Sequence, residues 1–154
     1  MRLALYQPDI PQNAGTMMRL AACLGVPVDI IEPAGFDASD RNLRRAGLDY
    51  LDSLDLQRHI SVAAFETWRR DAGRRLVLAT TRGAVPYSDF AFEASDVLMV
   101  GRESAGVPDA VHAAADARLL VPMRPGLRSL NVAVAAAMML GEGLRQTGGF
   151  GDLA

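Results

Sequence analysis

The sequence has 154 residues, of which 50% are hydrophobic and 22% are charged, and this size and mix are typical of one globular domain with a real core. No apolar run reaches the roughly 20 residues that cross a bilayer, and residues 1–6 turn polar too soon for a signal peptide, so we expect a cytoplasmic protein without a membrane segment. The net charge of −2 gives no support to nucleic-acid binding from overall charge.

Hydrophobic periodicity predicts strands and helices that alternate along the chain. In chain order, the pattern predicts a strand at 3–6, a helix at 14–24, a strand at 28–31, a helix at 40–46, an irregular segment at 48–61 with one short edge strand, a helix at 62–71, strands at 76–79 and 97–100, a helix at 108–114, a strand at 119–121 and a helix at 129–146. Residues 148–151 are expected to form a frayed tail. The alternation predicts an α/β fold with a mainly parallel sheet flanked by helices, in one domain over residues 1–154.

Three turns follow predicted strands, and ligands of a parallel sheet collect beyond the carboxyl ends of its strands. The first two turns are residues 80–83 and 101–106. In the second turn, the pair Gly101 and Gly106 taken alone is also explained by turn formation. The third turn contains two prolines and a glycine before Ser129, which is a good N-cap for the long final helix. Free backbone N–H groups and small polar side chains would meet there, which predicts a ligand held largely by backbone groups.

Several familiar kinds of site are disfavoured by the motifs that the chain lacks. Residues 107–108 are Val-Pro where a P-loop needs Lys and Ser or Thr, and no G-x-G-x-x-G follows the first strand. His59 and His112 have no neighbours at metal-ligand spacing, so we expect no metal. No G-x-S-x-G elbow is present, and paired-carboxylate chemistry would need an unidentified partner for Glu103. The single cysteine, Cys23, lies in an apolar stretch and is expected to be buried and without chemistry.

Arginine supplies every basic side chain, and its planar guanidinium suits bidentate contacts with phosphate. The clustered arginines are Arg41, Arg44 and Arg45; Arg69 and Arg70; Arg74 and Arg75; and Arg124 and Arg128. A solvated helix face explains each cluster when it is considered alone, and it does so least well for the last pair, which flanks the third turn. In the first helix, Asn13 is a plausible N-cap after Pro11, and Arg19 alone would be an exposed helix arginine.

Three separated segments together resemble the motif set of the SPOUT class of RNA methyltransferases. Asn13-x-Gly15-x-x-x-Arg19 resembles the first motif, residues 98–108 (LMVGRESAGVP) the second, and Val121-Pro122-Met123 with Ser129-Leu130-Asn131 the third. Residues 31–33 (IEP) and 43–50 (LRRAGLDY) are also similar to one subfamily, the tRNA cytidine/uridine wobble-position ribose 2′-O-methyltransferases. The similarity covers nearly the whole chain, with one departure at Gly141, where the subfamily commonly has an aromatic residue near its dimer seam.

The resemblance implies methyl transfer from S-adenosylmethionine to the ribose 2′-hydroxyl of cytidine or uridine 34 in the anticodon stem-loop of tRNA. It also implies a deep C-terminal trefoil knot that holds the cofactor, and an obligate antiparallel homodimer, without membrane or metal. The implied cofactor-binding residues are Ala79, Gly101, Val121, Ser129 and Leu130; the implied active centre is Asn13, Arg19, Glu103, Ser129 and Asn131; and the implied RNA-binding residues are Arg41, Arg44, Arg45, Arg124 and Arg128.

The role of Arg19 and the identity of the substrate stay open at this point. A guanidinium stays protonated at neutral pH and is therefore a poor proton acceptor. We therefore expect Arg19 to fix the target phosphate, while the proton leaves to a phosphate oxygen or to water. A noncatalytic S-adenosylmethionine- or nucleotide-binding module of an RNA complex would keep the turns without needing Arg19. A 2′-O-methyltransferase of ribosomal RNA is the other alternative.

Overall fold

The computed structural model describes residues 1–45, 50–83, 85–151 and 153. The strands in this part of the chain are β1 (Arg2–Tyr6), β2 (Val28–Ile31), β3 (Leu56–His59), β4 (Leu76–Ala79), β5 (Val85–Pro86), β6 (Val97–Val100) and β7 (Ala117–Leu120). The α-helices are α1 (Pro11–Cys23), α2 (Asp40–Arg45), α3 (Val62–Asp71), α4 (Asp109–Ala114) and α5 (Val132–Thr147). Short 3₁₀ helices span Leu51–Ser53 and Tyr87–Asp89.

The strands form one sheet in the order β3-β2-β1-β6-β4-β7-β5, in which every neighbouring pair is parallel. This arrangement confirms the predicted α/β fold. The strands β1, β2 and β6 are buried along their whole length, because helices cover both faces of a parallel sheet. All carboxyl ends of the strands lie at one edge, where a ligand site is expected.

The helices lie in two layers, because successive residues of a strand point to opposite faces of the sheet. Leu5 of β1 belongs to a core cluster that includes Met17 of α1 and Met139 of α5. The preceding residue, Ala4, belongs to a second cluster that contains Phe65 of α3. Burial of a large apolar side chain of this kind contributes roughly 1.5–3 kcal/mol, so the two clusters hold α1 and α5 on one face and α3 on the other.

The connection between β4 and β5 crosses over β7. Residues 80–84 join β4 to β5 in sequence, yet β7 lies between these two strands in the sheet. The Thr80 N–H donates to the Leu119 carbonyl oxygen at 2.9 Å. At Gly83, an added Cβ would lie 2.7 Å from the Leu119 carbonyl carbon and 2.9 Å from the Leu120 nitrogen. The crossing is therefore so close that only glycine fits at residue 83.

Two helix starts differ from the prediction. Helix α1 begins at Pro11, with Ile10 at the N-cap, so Asn13 lies inside the first turn and does not cap it. Helix α5 begins at Val132, because the side chain of Asn131 accepts from the first free N–H groups. The cap predicted at Ser129 is therefore wrong by two residues. The turn between β7 and α5 is therefore longer than the positions of its prolines indicated.

Other local predictions have mixed outcomes. The edge strand expected within residues 48–61 is β3, whereas the two-residue strand β5 was not predicted. Cys23 is exposed, so its predicted burial is wrong. The buried stripe of α1 is formed by Ala14, Met17, Met18 and Ala21, and residue 23 lies off that stripe. Among the helices of the described part, none has the length and apolar content to span a membrane.

Candidate active site

A cavity of about 770 Å³ opens at the carboxyl edge of the sheet, where β4, β6 and β7 end. Its walls are the three predicted turns, with residues 79–81, residues between 100 and 107, and residues between 120 and 132. All the residues expected at the cofactor line this cavity, namely Ala79, Gly101, Val121, Ser129 and Leu130. Of the expected active centre, Asn13, Glu103, Ser129 and Asn131 line it as well, whereas Arg19 does not.

The turn after β6 folds tightly onto itself. The Arg102 N–H donates to the Gly106 carbonyl oxygen at 3.0 Å, and the Gly106 N–H donates back at 2.8 Å. An added Cβ at Gly101 would lie 2.7 Å from the Gly106 carbonyl carbon, and Gly106 has a φ of 64°. The structure therefore explains glycine at both positions. A side chain at residue 101 would clash with Gly106, and residue 106 adopts a left-handed backbone conformation. The bare turn backbone at Gly101 forms part of the cavity wall.

Asn131 joins the start of α5 to α1. Its Oδ1 accepts from the N–H of Ala133 at 2.8 Å and from that of Val134 at 3.4 Å, and this caps α5. Its Nδ2 donates to Oδ1 of Asn13 at 3.0 Å. The first and third sequence motifs are thus in direct contact at the cavity, although 118 residues separate these two asparagines in sequence.

Glu103 is held by Asp9, a residue that the sequence analysis did not single out. The Asp9 N–H donates to Glu103 Oε2 at 3.3 Å, and the Glu103 N–H donates to Asp9 Oδ1 at 3.1 Å. The Ser104 hydroxyl donates to the other carboxylate oxygen of Asp9. Asp9 lies in the loop after β1, so the rule that ligands collect at the carboxyl edge would have found it had it been applied to the first strand.

Opposite shifts in pKa distinguish these two carboxyl groups. Hydrogen bonding with Glu103, followed by that with Ser104, lowers the pKa of Asp9 to about 2. Burial, followed by hydrogen bonding with Asp9, raises the pKa of Glu103, while the side chain of Asn13 acts in the opposite direction. The Glu103 Oε1 atom is buried and has no hydrogen-bond partner among the described residues. The pKa of Asp9 therefore lies below that of Glu103.

Arg19 lies outside the cavity wall and packs against Tyr50. Its guanidinium carbon is 4.7 Å from the centre of the Tyr50 ring, and its Nη2 donates to the Tyr50 hydroxyl at 3.4 Å. Both side chains are exposed. This stacking holds the guanidinium plane in place while it leaves the charge accessible to an anionic partner. Tyr50 is a second site residue that sequence reasoning missed, because the contact joins α1 to a distant loop.

The arginine clusters divide into structural and accessible groups. Arg69 is buried and bonds to Glu66 and Asp116, and Arg75 forms a bidentate pair with the buried Asp96. Three arginines are exposed and have no side-chain partner among the described residues: Arg41, Arg124 and Arg128. The side chains of Arg44 and Arg45 lie outside the described part of the chain. The side chains of Arg41, Arg124 and Arg128 are therefore free to contact phosphate.

The described residues contain no cluster of three His, Cys, Asp or Glu side chains that could hold a metal ion. His59 instead bonds to the buried Asp29 at 2.8 Å, and Arg2 bonds to the same carboxylate at 2.7 Å. These contacts lie at β1, β2 and β3, away from the residues that line the cavity. They give His59 a structural role.

Known proteins are similar to this chain in sequence and in fold. The model of the SpoU rRNA Methylase family matches residues 1–141. A protein of Beijerinckia indica subsp. indica named tRNA (cytidine(34)-2′-O)-methyltransferase is 66% identical over 146 residues, which cover 95% of this chain and 91% of that protein. A structure solved for "Structural insights into the 2-OH methylation of C/U34 on tRNA" has a TM-score of 0.87 and 43% identity, and the match covers 94% of each chain. The AdoMet-bound rRNA methyltransferase from Sinorhizobium meliloti has a TM-score of 0.84 and 28% identity, and the match covers 94% of this chain and 55% of that one.

Proposed function

Since the chain belongs to the SpoU rRNA Methylase family, we propose that it transfers the methyl group of S-adenosylmethionine to the ribose 2′-hydroxyl of the wobble nucleotide, cytidine or uridine 34, of tRNA. The observation that carries this proposal is the meeting of three remote segments, through Asn13, Glu103 and Asn131, at one cavity. The tRNA substrate is supported by the similarity, along 95% of this chain, to the relative named tRNA (cytidine(34)-2′-O)-methyltransferase. In this proposal residues 1–154 act as one methyltransferase domain in the cytoplasm.

The cavity suits S-adenosylmethionine in size and lining. Its volume of about 770 Å³ falls within the roughly 300–1,000 Å³ of small-molecule sites. Apolar side chains such as Val100, Leu120 and Met139 suit the adenosine part, and the backbone of the three turns supplies polar groups. The residues that hold the cofactor in this proposal are Ala79, Gly101, Val121, Ser129 and Leu130. When bound, the cofactor would supply an electrophilic methyl group to the ribose oxygen, whose proton would pass to a phosphate oxygen or to water.

The main task of the protein side chains is to position the ribose. Asn13 and Asn131 form a fixed pair at the cavity, and Glu103 and Ser129 line the same wall. Holding the reacting oxygen in one orientation removes much of the entropic cost of the reaction. An arginine side chain carries a positive charge in proteins, and in this proposal the guanidinium of Arg19 binds an RNA phosphate beside the reacting nucleotide.

The accessible arginines form the RNA-binding surface in this proposal. Arg124 lines the cavity, and Arg128 lies in the same turn four residues later. Arg41 of α2 is exposed, and Arg44 and Arg45 follow it in the same helix. Phosphate contacts by these residues release counterions, so tRNA affinity is expected to fall as salt rises, despite the net charge of −2.

The proposed homodimer is supported by an apolar face of α5 that the described residues leave partly exposed. Val134 is 49% exposed and Met138 is 37% exposed, and their spacing of four places both on one side of the helix. Leu130 and Ile10 are each 40% exposed as well. The proposed deep trefoil knot is supported by the crossing of residues 80–83 over β7. Sedimentation analysis of the purified protein tests the dimer.

Nucleoside mass spectrometry tests the reaction. The protein is incubated with S-adenosylmethionine and tRNA transcripts carrying cytidine or uridine 34, and digests are searched for 2′-O-methylcytidine and 2′-O-methyluridine. A transcript with 2′-deoxyribose at position 34 is the matched control and should stay unmodified. Methylation of ribosomal RNA alone, or failure to methylate position 34 in a full tRNA pool, would refute the proposed substrate.

A further inference from the structure

The loop that carries Asp9 lies beside the turn that carries Glu103, because β1 and β6 are neighbours in the sheet. Leu5 of β1 is in register with Val100 of β6, so both strands end at the same level. Asp9 and Glu103 follow these ends and bond to each other through two reciprocal contacts of backbone N–H to carboxylate, at 3.3 and 3.1 Å. Each loop therefore fixes the other, across 94 residues of sequence.

The loop that carries Asp9 is itself constrained by contacts with Gly35 and β2. The Gly35 N–H donates to the Pro8 carbonyl oxygen at 2.8 Å, and an added Cβ at Gly35 would lie 2.8 Å from the Cβ of Asp9. Gln7 has a φ of 42°, a left-handed conformation that is uncommon for residues other than glycine. The N–H of Gln7 also donates to the Ile31 carbonyl oxygen at 2.9 Å. The carboxylate of Asp9 is thus presented by a constrained loop and not by a free side chain.

Glu103 and the two paired asparagines line the same cavity. Glu103 bonds to Asp9. Asn13 accepts from Asn131 at 3.0 Å, and Asn131 caps α5 with contacts to the N–H groups of Ala133 and Val134. The three side chains therefore reach the cavity from the β6 turn, α1 and the start of α5, and Asp9 fixes the first of them.

We propose that Asp9 is a positioning residue of the active site: through its two reciprocal contacts it holds Glu103 in place at the cavity. Its consequence for methyl transfer rests on the proposed function, whereas its effect on Glu103 does not. Asp9 does not line the cavity, so its effect reaches the substrate only through the residues that it holds.

Charge gives the proposal a pH signature. Among the described residues, the charged side chain that contacts Glu103 is Asp9, and the other charged groups lining the cavity are Arg102 and Arg124. The carboxylate of Asp9 helps to raise the pKa of Glu103. Neutral asparagine at residue 9 removes a negative neighbour, so the pKa of Glu103 should fall, and groups that sense Glu103 should titrate at lower pH.

The first test is structural and uses the protein without substrate or cofactor. The side-chain carboxyl signal of Glu103 is followed by NMR from pH 4 to 8 in wild type, Asp9→Asn and Asp9→Ala. We expect its midpoint to lie at lower pH in both variants than in wild type, because each variant removes the negative neighbour of Glu103. Asp37→Asn is the control, since Asp37 bonds to the Ser39 N–H in another loop. Identical titrations in wild type and both Asp9 variants would overturn the proposal.

The second test measures single-turnover methylation of tRNA. Loss of one hydrogen bond to a charged group corresponds to a roughly tenfold to hundredfold slower rate, which we expect for Asp9→Ala with cofactor affinity within about threefold of wild type. Asp9→Asn keeps the shape and should fall by less than tenfold. A loss confined to cofactor affinity, or a lower melting temperature with a normal rate, would overturn the proposal. An inactive wild type would instead refute the proposed function, and the NMR titration would still decide the role of Asp9.

Discussion

Replacing Gly83 with alanine should destabilise the protein, because this residue lies where one part of the chain crosses another. The new Cβ would meet the carbonyl carbon of Leu119 at 2.7 Å, and the Leu119 oxygen and the Leu120 nitrogen at 2.9 Å. All three atoms belong to the backbone of β7, which is held in the sheet by β4 and β5 on either side. No side-chain rotation can relieve this clash, so the crossing loop or the strand must move.

The size of the effect follows from two opposing terms. Overpacking a well-packed region costs about 1–3 kcal/mol, and contacts that are all with backbone place Gly83→Ala near 3 kcal/mol. Alanine also restricts the unfolded chain, which stabilises the fold by about 0.4–1 kcal/mol. The net loss is about 2 kcal/mol, equivalent to a roughly thirtyfold larger unfolding constant.

Urea unfolding at a fixed protein concentration measures this difference. The single tryptophan, Trp68, packs against the second core cluster and reports unfolding by its fluorescence. Gly15→Ala is the matched control, because an added Cβ there meets nothing within 4 Å in the interior of α1, and this variant should be slightly more stable than wild type. If Gly83→Ala unfolds at or above the wild-type urea midpoint, the described crossing is incorrect.

Three other changes test the capping residue, the RNA surface and the buried ion pair. Asn131→Asp keeps the capping oxygen of α5 but loses the donor to Asn13, so we expect near wild-type thermal stability with slower single-turnover methylation; full activity would contradict the role given to this amide. Arg128→Gln should lower the slope of log affinity for tRNA against log salt by about one. The control Arg70→Gln removes an arginine paired with Glu66 and should leave the slope unchanged. Equal slopes in both variants would exclude Arg128 from the interface. Asp29→Asn should lower the free energy of unfolding, measured by thermal unfolding, by about 3–5 kcal/mol, because Arg2 and His59 lose their buried carboxylate. Asp55→Asn, which changes a carboxylate that is 70% exposed, is the control. Similar melting temperatures of the two variants would contradict this assignment.

The elements that the sequence predicted well are those with a strong local cause. Residues 76–79 and 97–100 are unbroken apolar runs, residues 28–31 are apolar except for Asp29, and each segment coincides with a strand. Helix α3 matches the prediction at both ends, because Ser61 caps it by accepting from the Ala64 N–H. In these cases the pattern of hydrophobic residues and one capping side chain were sufficient.

The features that the sequence did not predict depend on contacts between distant residues. The strand β5 consists of Val85 and Pro86 and exists because β7 pairs with it. Asp9 acquires its role from Glu103, which is 94 residues away. The three motifs could be recognised individually, but periodicity contains no information on strand order, so the crossing over β7 could not be derived.

The strand order also determines when the sheet can be completed during synthesis. Strand β6 lies between β1 and β4, and β7 lies between β4 and β5, so two late strands enter gaps between strands that were made earlier. A chain that emerges from the ribosome amino terminus first therefore cannot add its strands one after another at a growing edge. The sheet is complete only after residue 120 has emerged, which makes the last third of the chain decisive for folding of the whole protein.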